Sequence, residues 1–163
     1  MTDRTLVERK SDREVVATRT IHGPAHLVFK AWTDPELVRQ WWVPRSIPMT
    51  HLSCEMDVRV GGKYRLVFGM DSQTMAFFGT YTEVAPHSRL AWTNEEGGED
   101  ATSITTVTFE ERGGRTLLTM HELHPTKEAL DAAIASGSTA GTPEQWDQLD
   151  EFIATLLPGT QAG

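Results

Sequence analysis

The sequence predicts an α+β fold in which a seven-stranded antiparallel sheet curves around a long C-terminal helix, with two short helices after the first strand. Two observations carry that expectation. The middle of the chain is a series of short β-branched and aromatic runs separated by turn residues. The last third ends on "TPEQWDQLDEFIATLL" (142–157), where Trp146, Leu149, Phe152, Ile153 and Leu156 form one apolar stripe. A curved sheet has one face to bury, and a helix with a bulky stripe can cover it.

The elements follow in order. Residues 1–12 are polar and are expected to be flexible, and residues 13–157 make one domain. "REVVATRTIHG" (13–23) is rich in β-branched residues and reads as the first strand. Gly23-Pro24 stops it, and Leu27, Val28, Ala31 and Trp32 then recur at helical spacing. Asp34 can cap a second short helix with Pro35 at its first position. Six further strands are read at 54–60, 63–70, 75–85, 88–95, 102–112 and 115–123. Gly61-Gly62, Asp71-Ser72, Pro86-His87, Glu96–Asp100 and Gly113-Gly114 separate them, as in an antiparallel meander. Thr126 caps a helix over 126–137 that ends at Gly137. In the last helix Thr142 and Gln145 are spaced as a capping box. Pro158-Gly159 ends that helix and leaves a short tail, 158–163.

Composition bounds the function. The formal net charge is −8 and Lys and Arg are not clustered, which argues against non-specific binding to nucleic acid or to anionic membranes, so no nucleic-acid partner is expected. A single cysteine, Cys54, excludes an intrachain disulfide and fits a cytoplasmic location. No secretory signal or apolar run long enough to insert in a membrane is read.

The stretch "TRTIHGPAHLVFKAWTDPELVRQWW" resembles the opening of START-like (SRPBCC) domains, in the branch named for the activator of heat-shock-protein-90 ATPase. "DVRVGGKYRL", "GTYTEVAPHSRLAWT", "VTFEERGGRTLLTM" and "WDQLDEFIATL" continue the similarity in order, over about residues 13–157. The resemblance implies a helix-grip fold with a pocket between sheet and C-terminal helix. It also implies a choice of roles: binders of lipids, sterols and polyketides, polyketide cyclases, antibiotic self-resistance proteins, or a co-chaperone domain. Similar sequences carry Gly-Trp at the start of the last helix, where this chain has Gln145-Trp146. The extra N-terminal domain of eukaryotic co-chaperones has no room here, which weighs against that role.

Pocket candidates follow from the stripe and from strand phase. Trp146, Leu149, Phe152 and Ile153 supply the helix side. Phe68, Met70, Phe77, Tyr81 and Trp92 supply the sheet side, with Trp41 and His121 as further candidates. Such residue types pack cores more often than they contact ligands. Trp41 and Trp42 are expected to close one end of the fold, with one ring against core or cavity, since neighbours lie about 100° apart on a helix. Glu55, Tyr81, Glu83 and His121 are the groups an acid–base enzyme would draw on. "HELH" (121–124) lacks zinc-motif spacing, and on a strand its two histidines face opposite sides. "GGK" (61–63) is a turn and not a phosphate loop, "EEGGED" (95–100) is a solvated loop, and Cys54 is a buried thiol. No catalytic, metal or cofactor group is assigned. The expected function is non-catalytic binding of a small hydrophobic or amphipathic molecule. The alternatives are a chaperone-associated or stress-response interaction protein and a cyclase- or hydrolase-type enzyme.

Overall fold

The computed structural model describes residues 4–95, 98, 101–137 and 139–157. Most of the "EEGGED" loop, Ser138, the Pro158-Gly159 stop and the tail lie outside the described residues. The chain runs β1 (Leu6–Arg9), β2 (Glu14–Ile21), α1 (Ala25–Thr33), α2 (Pro35–Trp41), β3 (Thr50–Met56), β4 (Lys63–Met70) and β5 (Gln73–Ala85). It continues through β6 (Arg89–Asn94), β7 (Ser103–Arg112), β8 (Arg115–Leu123), α3 (Lys127–Ala135) and α4 (Thr142–Leu156). All strands join one antiparallel sheet in the order β1-β2-β8-β7-β6-β5-β4-β3.

The sheet therefore has eight strands where the sequence predicts seven. The extra one, β1, lies in the segment expected to be flexible. It pairs Leu6 with Thr18 and Arg9 with Val15, and its side chains are exposed. Backbone pairing at a sheet edge needs no apolar face, so no alternation announces it. A second difference is at β3, which starts at Thr50, four residues before the predicted strand, and ends at Met56. Residues 57–62 form a turn instead, closed by Gly62 N donating to Arg59 O (2.8 Å) with Gly61 at φ +86°.

Curvature comes mostly from β5. It pairs with β4 up to Thr80 and with β6 from Tyr81, and its register shifts between Tyr81 and Glu83. A Cβ on Gly79 would sit 1.8 Å from the Thr93 carbonyl oxygen, so only glycine lets the two strands approach at the bend. The β7–β8 turn is the two-residue Gly113-Gly114, both at positive φ, which matches the twist of the strands it joins.

Helix α4 lies across one end of the concave face. Trp146, Leu149 and Ile153 are fully buried, and the helix packs on α1, α2 and β2. A Cβ on Gly23 would lie 2.4 Å from Ile153 Cγ2, which shows how closely α4 crosses the β2–α1 turn. Arg19, on the inward face of β2 and 7% exposed, crosses to α4. Its guanidinium bonds Asp147 and Asp150 (3.1 Å to Asp150), and Asp150 also accepts from the His22 backbone N–H (2.9 Å).

The predicted capping box of α4 does not form. Gly141 is the cap residue, with no side-chain cap bond, and Thr142 is buried as the first helical residue. The Gln145 amide instead donates to Trp42 O (2.7 Å). Caps at the shorter helices match expectation: Asp34 accepts from Glu36 N (3.0 Å) and Thr126 from Ala129 N (3.0 Å). Helix α3 is anchored by the fully buried Leu130 and by Asp131, which takes Arg9 of β1 at 2.8 Å. Among the described residues no helix is long and apolar enough to cross a membrane.

Candidate functional site

The concave face of the sheet is only partly covered. Between it, the segment after α2 and helix α3 lies a half-enclosed cavity of about 580 Å³. The sheet contributes Tyr64, Leu66 and Phe68 from β4, Phe77 and Tyr81 from β5, and Trp92 from β6. Ile47 and Met49 close one side, and Ala129, Ala132 and Ala133 of α3 border another. The wall is thus aromatic and aliphatic, with small side chains on the α3 border. The volume falls in the range of small-molecule pockets in general, and the lining is mainly apolar.

All five tryptophans gather at this end of the molecule, around Trp32. Its ring lies 4.9 Å from that of Trp41, 6.0 Å from Trp42, 5.9 Å from Trp92 and 6.3 Å from Trp146. Trp32 and Trp42 line the cavity. Trp41 is fully buried behind them, with its Nε1–H donating to Ala31 O (3.0 Å). Three side chains of α4 hold the segment that carries Trp42. Gln148 donates to Val43 O (2.9 Å) and accepts from Arg45 N (2.8 Å), Gln145 binds Trp42 O, and Glu144 accepts from Ser46 N (2.8 Å). So α4 shapes the cavity by positioning Trp42 and does not itself form the wall.

One corner of the cavity is polar. Asn94 donates to Ser103 Oγ (3.0 Å) and Thr105 Oγ1 (2.8 Å), and its Oδ1 accepts from Trp92 Nε1 (3.2 Å) and Tyr64 Oη (3.1 Å). Glu122 and His124 of the β8 end stand beside it, with His124 Nε2 at 3.3 Å from Glu122 Oε1. A further polar group of the wall residues, the Trp32 Nε1–H, has no hydrogen-bond partner among the described residues.

The fold that carries this cavity is shared with known proteins. The model of the family described as "Activator of Hsp90 ATPase homolog 1-like protein" matches residues 22–154, a span that holds every residue of the cavity wall. The chain belongs to that family. No curated protein matches it in sequence. Solved structures match across nearly the whole chain. A Rhodobacter sphaeroides protein superposes with a TM-score of 0.84 at 23% identity, covering 94% of this chain and 99% of its own. A Mycobacterium smegmatis protein gives 0.78 at 23% identity, covering 96% and 98%. An AHSA1-like protein from Aeromonas hydrophila gives 0.69 at 20% identity, covering 86% and 93%. At these identities the likeness concerns the fold, and the fold is the START-like helix-grip that the sequence resemblance implies.

Within this family member, the sequence-derived candidates divide. Phe68, Phe77, Tyr81 and Trp92 are on the cavity wall. Met70, at the far end of β4, is not, and neither is Trp41, whose place is taken by Trp42. Trp146, Leu149 and Ile153 are in the core under α4, and Phe152 packs against that core. The expected pocket between sheet and α4 is therefore displaced toward α2 and α3, because α1, α2 and β2 already occupy the α4 stripe. His121 points away from the cavity and pairs with Glu14 (2.7 Å), and that hydrogen bond is the main reason the Glu14 carboxyl titrates below its usual range. Glu55 is exposed and Glu83 pairs with Arg89 (2.7 Å), so the four candidate acid–base groups do not converge. Sequence reasoning missed the rest of the wall, including Trp32, Trp42, Tyr64 and Leu66, the alanines of α3, and the polar corner of Asn94, Ser103, Thr105, Glu122 and His124.

Cys54, His51 and Tyr81 share the aromatic side of the sheet. His51 lies in β3, with its ring 4.7 Å from that of Phe68. Burial, and then Arg39, hold its pKa below the usual histidine value, and the Ser53 backbone offsets this only in part. Burial also pushes Tyr81 above the usual tyrosine range, and it pushes the Cys54 thiol up to about 11, with Arg39 opposing. A thiol so placed is mostly unionised and a poor nucleophile. At pH 8 native Cys54 should react with iodoacetamide about 100-fold more slowly than the urea-unfolded chain. Equal rates would show the thiol to be open to solvent.

Proposed function

We propose that this chain is a non-catalytic binding protein that holds one small hydrophobic or amphipathic molecule in the cavity between the sheet and helices α2 and α3, and that it acts in the cytoplasm. The single observation behind this reading is the cavity itself: about 580 Å³ of space walled by aromatic rings and methyl groups. Unfilled apolar space of that size costs packing energy that a ligand would restore. The poorly ionised Cys54 and the dispersal of Glu55, Glu83 and His121 favour binding over acid–base or nucleophilic turnover.

Nile red, a neutral apolar dye, tests the reading. Its fluorescence should rise to saturation at one site per chain. The double variant Ala129→Trp with Ala133→Trp puts two indoles on the α3 border and should weaken the dye about tenfold or more. Folded protein that takes up no dye, or a double variant that binds like the parent, would overturn the reading. Family membership favours chaperone association as the second reading, and its test is the ATPase rate of an Hsp90-type chaperone with and without the protein.

A further inference from the structure

We propose that the cavity selects an amphiphile with a cationic, amine-type head seated at Glu122, and disfavours anionic amphiphiles of the same length. The inference rests on the binding reading above and concerns the chemistry of the same cavity.

Glu122 is placed by strand register. Tyr81, Trp92, Thr105 and Glu122 are consecutive partners across β5, β6, β7 and β8, so they form one row on the concave face. Three of them present rings or a methyl, and the fourth is a carboxylate. Its Oε1 faces His124 at 3.3 Å, while Oε2 accepts no hydrogen bond among the described residues. Beside it, the Ser103 and Thr105 oxygens each accept one bond from Asn94, which leaves each a second lone pair. An ammonium brings three donors and no acceptor. One carboxylate oxygen and two hydroxyl oxygens match that set.

Charge points the same way. Among the described residues no lysine or arginine lines the cavity, and Glu122 is its one carboxylate. Arg13 lies nearby in space, where its Nε donates to the His124 carbonyl (3.0 Å), but it is not part of the wall. An anionic head would therefore enter a half-enclosed site with no lysine or arginine on its wall, at the cost of losing its hydration. A cationic head gains Glu122, with Trp92 in the same row two strands away beyond Thr105. The formal net charge of −8 adds long-range attraction for cations and repulsion for anions.

The test is displacement of Nile red at pH 7 by three twelve-carbon probes below their aggregation concentrations: dodecylamine, dodecanol and dodecanoate. The amine should compete best and the carboxylate worst, with about tenfold or more between them. In Glu122→Gln the amine should weaken about tenfold while the alcohol stays within about twofold. Equal competition by all three, or a preference for dodecanoate, would overturn the head-group inference and leave the cavity reading standing. An unchanged amine affinity in Glu122→Gln would also overturn it. Failure of all three to compete, with no dye bound at all, would overturn both.

Discussion

Truncating Trp41 to alanine is expected to destabilise the fold by about 3–5 kcal/mol, while the same change at Trp42 costs far less stability and instead weakens ligand uptake. The two residues are adjacent, yet they face different surroundings. Trp41 is fully buried, its indole N–H is satisfied by Ala31 O, and the Trp32 ring packs on it at 4.9 Å. Removing it leaves a void between α1, α2 and α4, together with an unpaired carbonyl, and the rigid helices around it cannot close the gap. Trp42 is half-buried and lines the cavity, so its loss widens a space that is already open. Urea unfolding of the two variants checks the first half, and Nile red titration checks the second. A Trp41→Ala protein within about 1 kcal/mol of the parent would mean that the tryptophan cluster is not the organising core described above.

Asp150→Ala should be nearly as damaging, at about 3–5 kcal/mol, because it strands a buried charge. Arg19 keeps only 6% of its side chain exposed, and its Nε already lacks a partner among the described residues. Asp150, itself 13% exposed, is its deeper counter-ion, whereas Asp147 is 59% exposed and well screened. The His22 backbone N–H loses its acceptor in the same step. Replacing both partners, as Arg19→Met with Asp150→Leu, should recover most of the loss, since the pair's desolvation penalty then disappears with its attraction. Thermal or urea unfolding of single and double variants measures this. A single variant that costs under about 1 kcal/mol would show that Asp147 alone suffices.

The fold was legible because its two periodicities are strong. Residues 14–21 alternate between half-buried and buried along β2, and the α4 stripe is buried at Trp146, Leu149 and Ile153. What such patterns report is burial, and burial does not distinguish a packed core from a cavity wall. That is why the α4 stripe was a natural pocket candidate and proved to be core, and why Phe68 and Phe77 proved to be wall. The polar corner had a usable signal that went unread. Thr116 and Leu118 are fully buried, and continuing that phase along β8 through Met120 puts Glu122 and His124 on the inner face, with His121 outside. Strand β1 had none, because its pairing is carried by backbone groups that every residue shares.

The three alanines at the border of α3 separate two properties that most small domains tie together. The tryptophan cluster, the α4 stripe and the Arg19–Asp150 contact give the domain its thermodynamic reserve. Ala129, Ala132 and Ala133 contribute almost nothing to that reserve, being small methyl groups, yet they border the cavity and so bound its space. Methyl-to-larger changes there alter capacity with the sheet left untouched. On the proposed binding reading, such a chain would exchange one cargo for another by single substitutions without passing through unstable intermediates, and a designer would tune its selectivity by the same route.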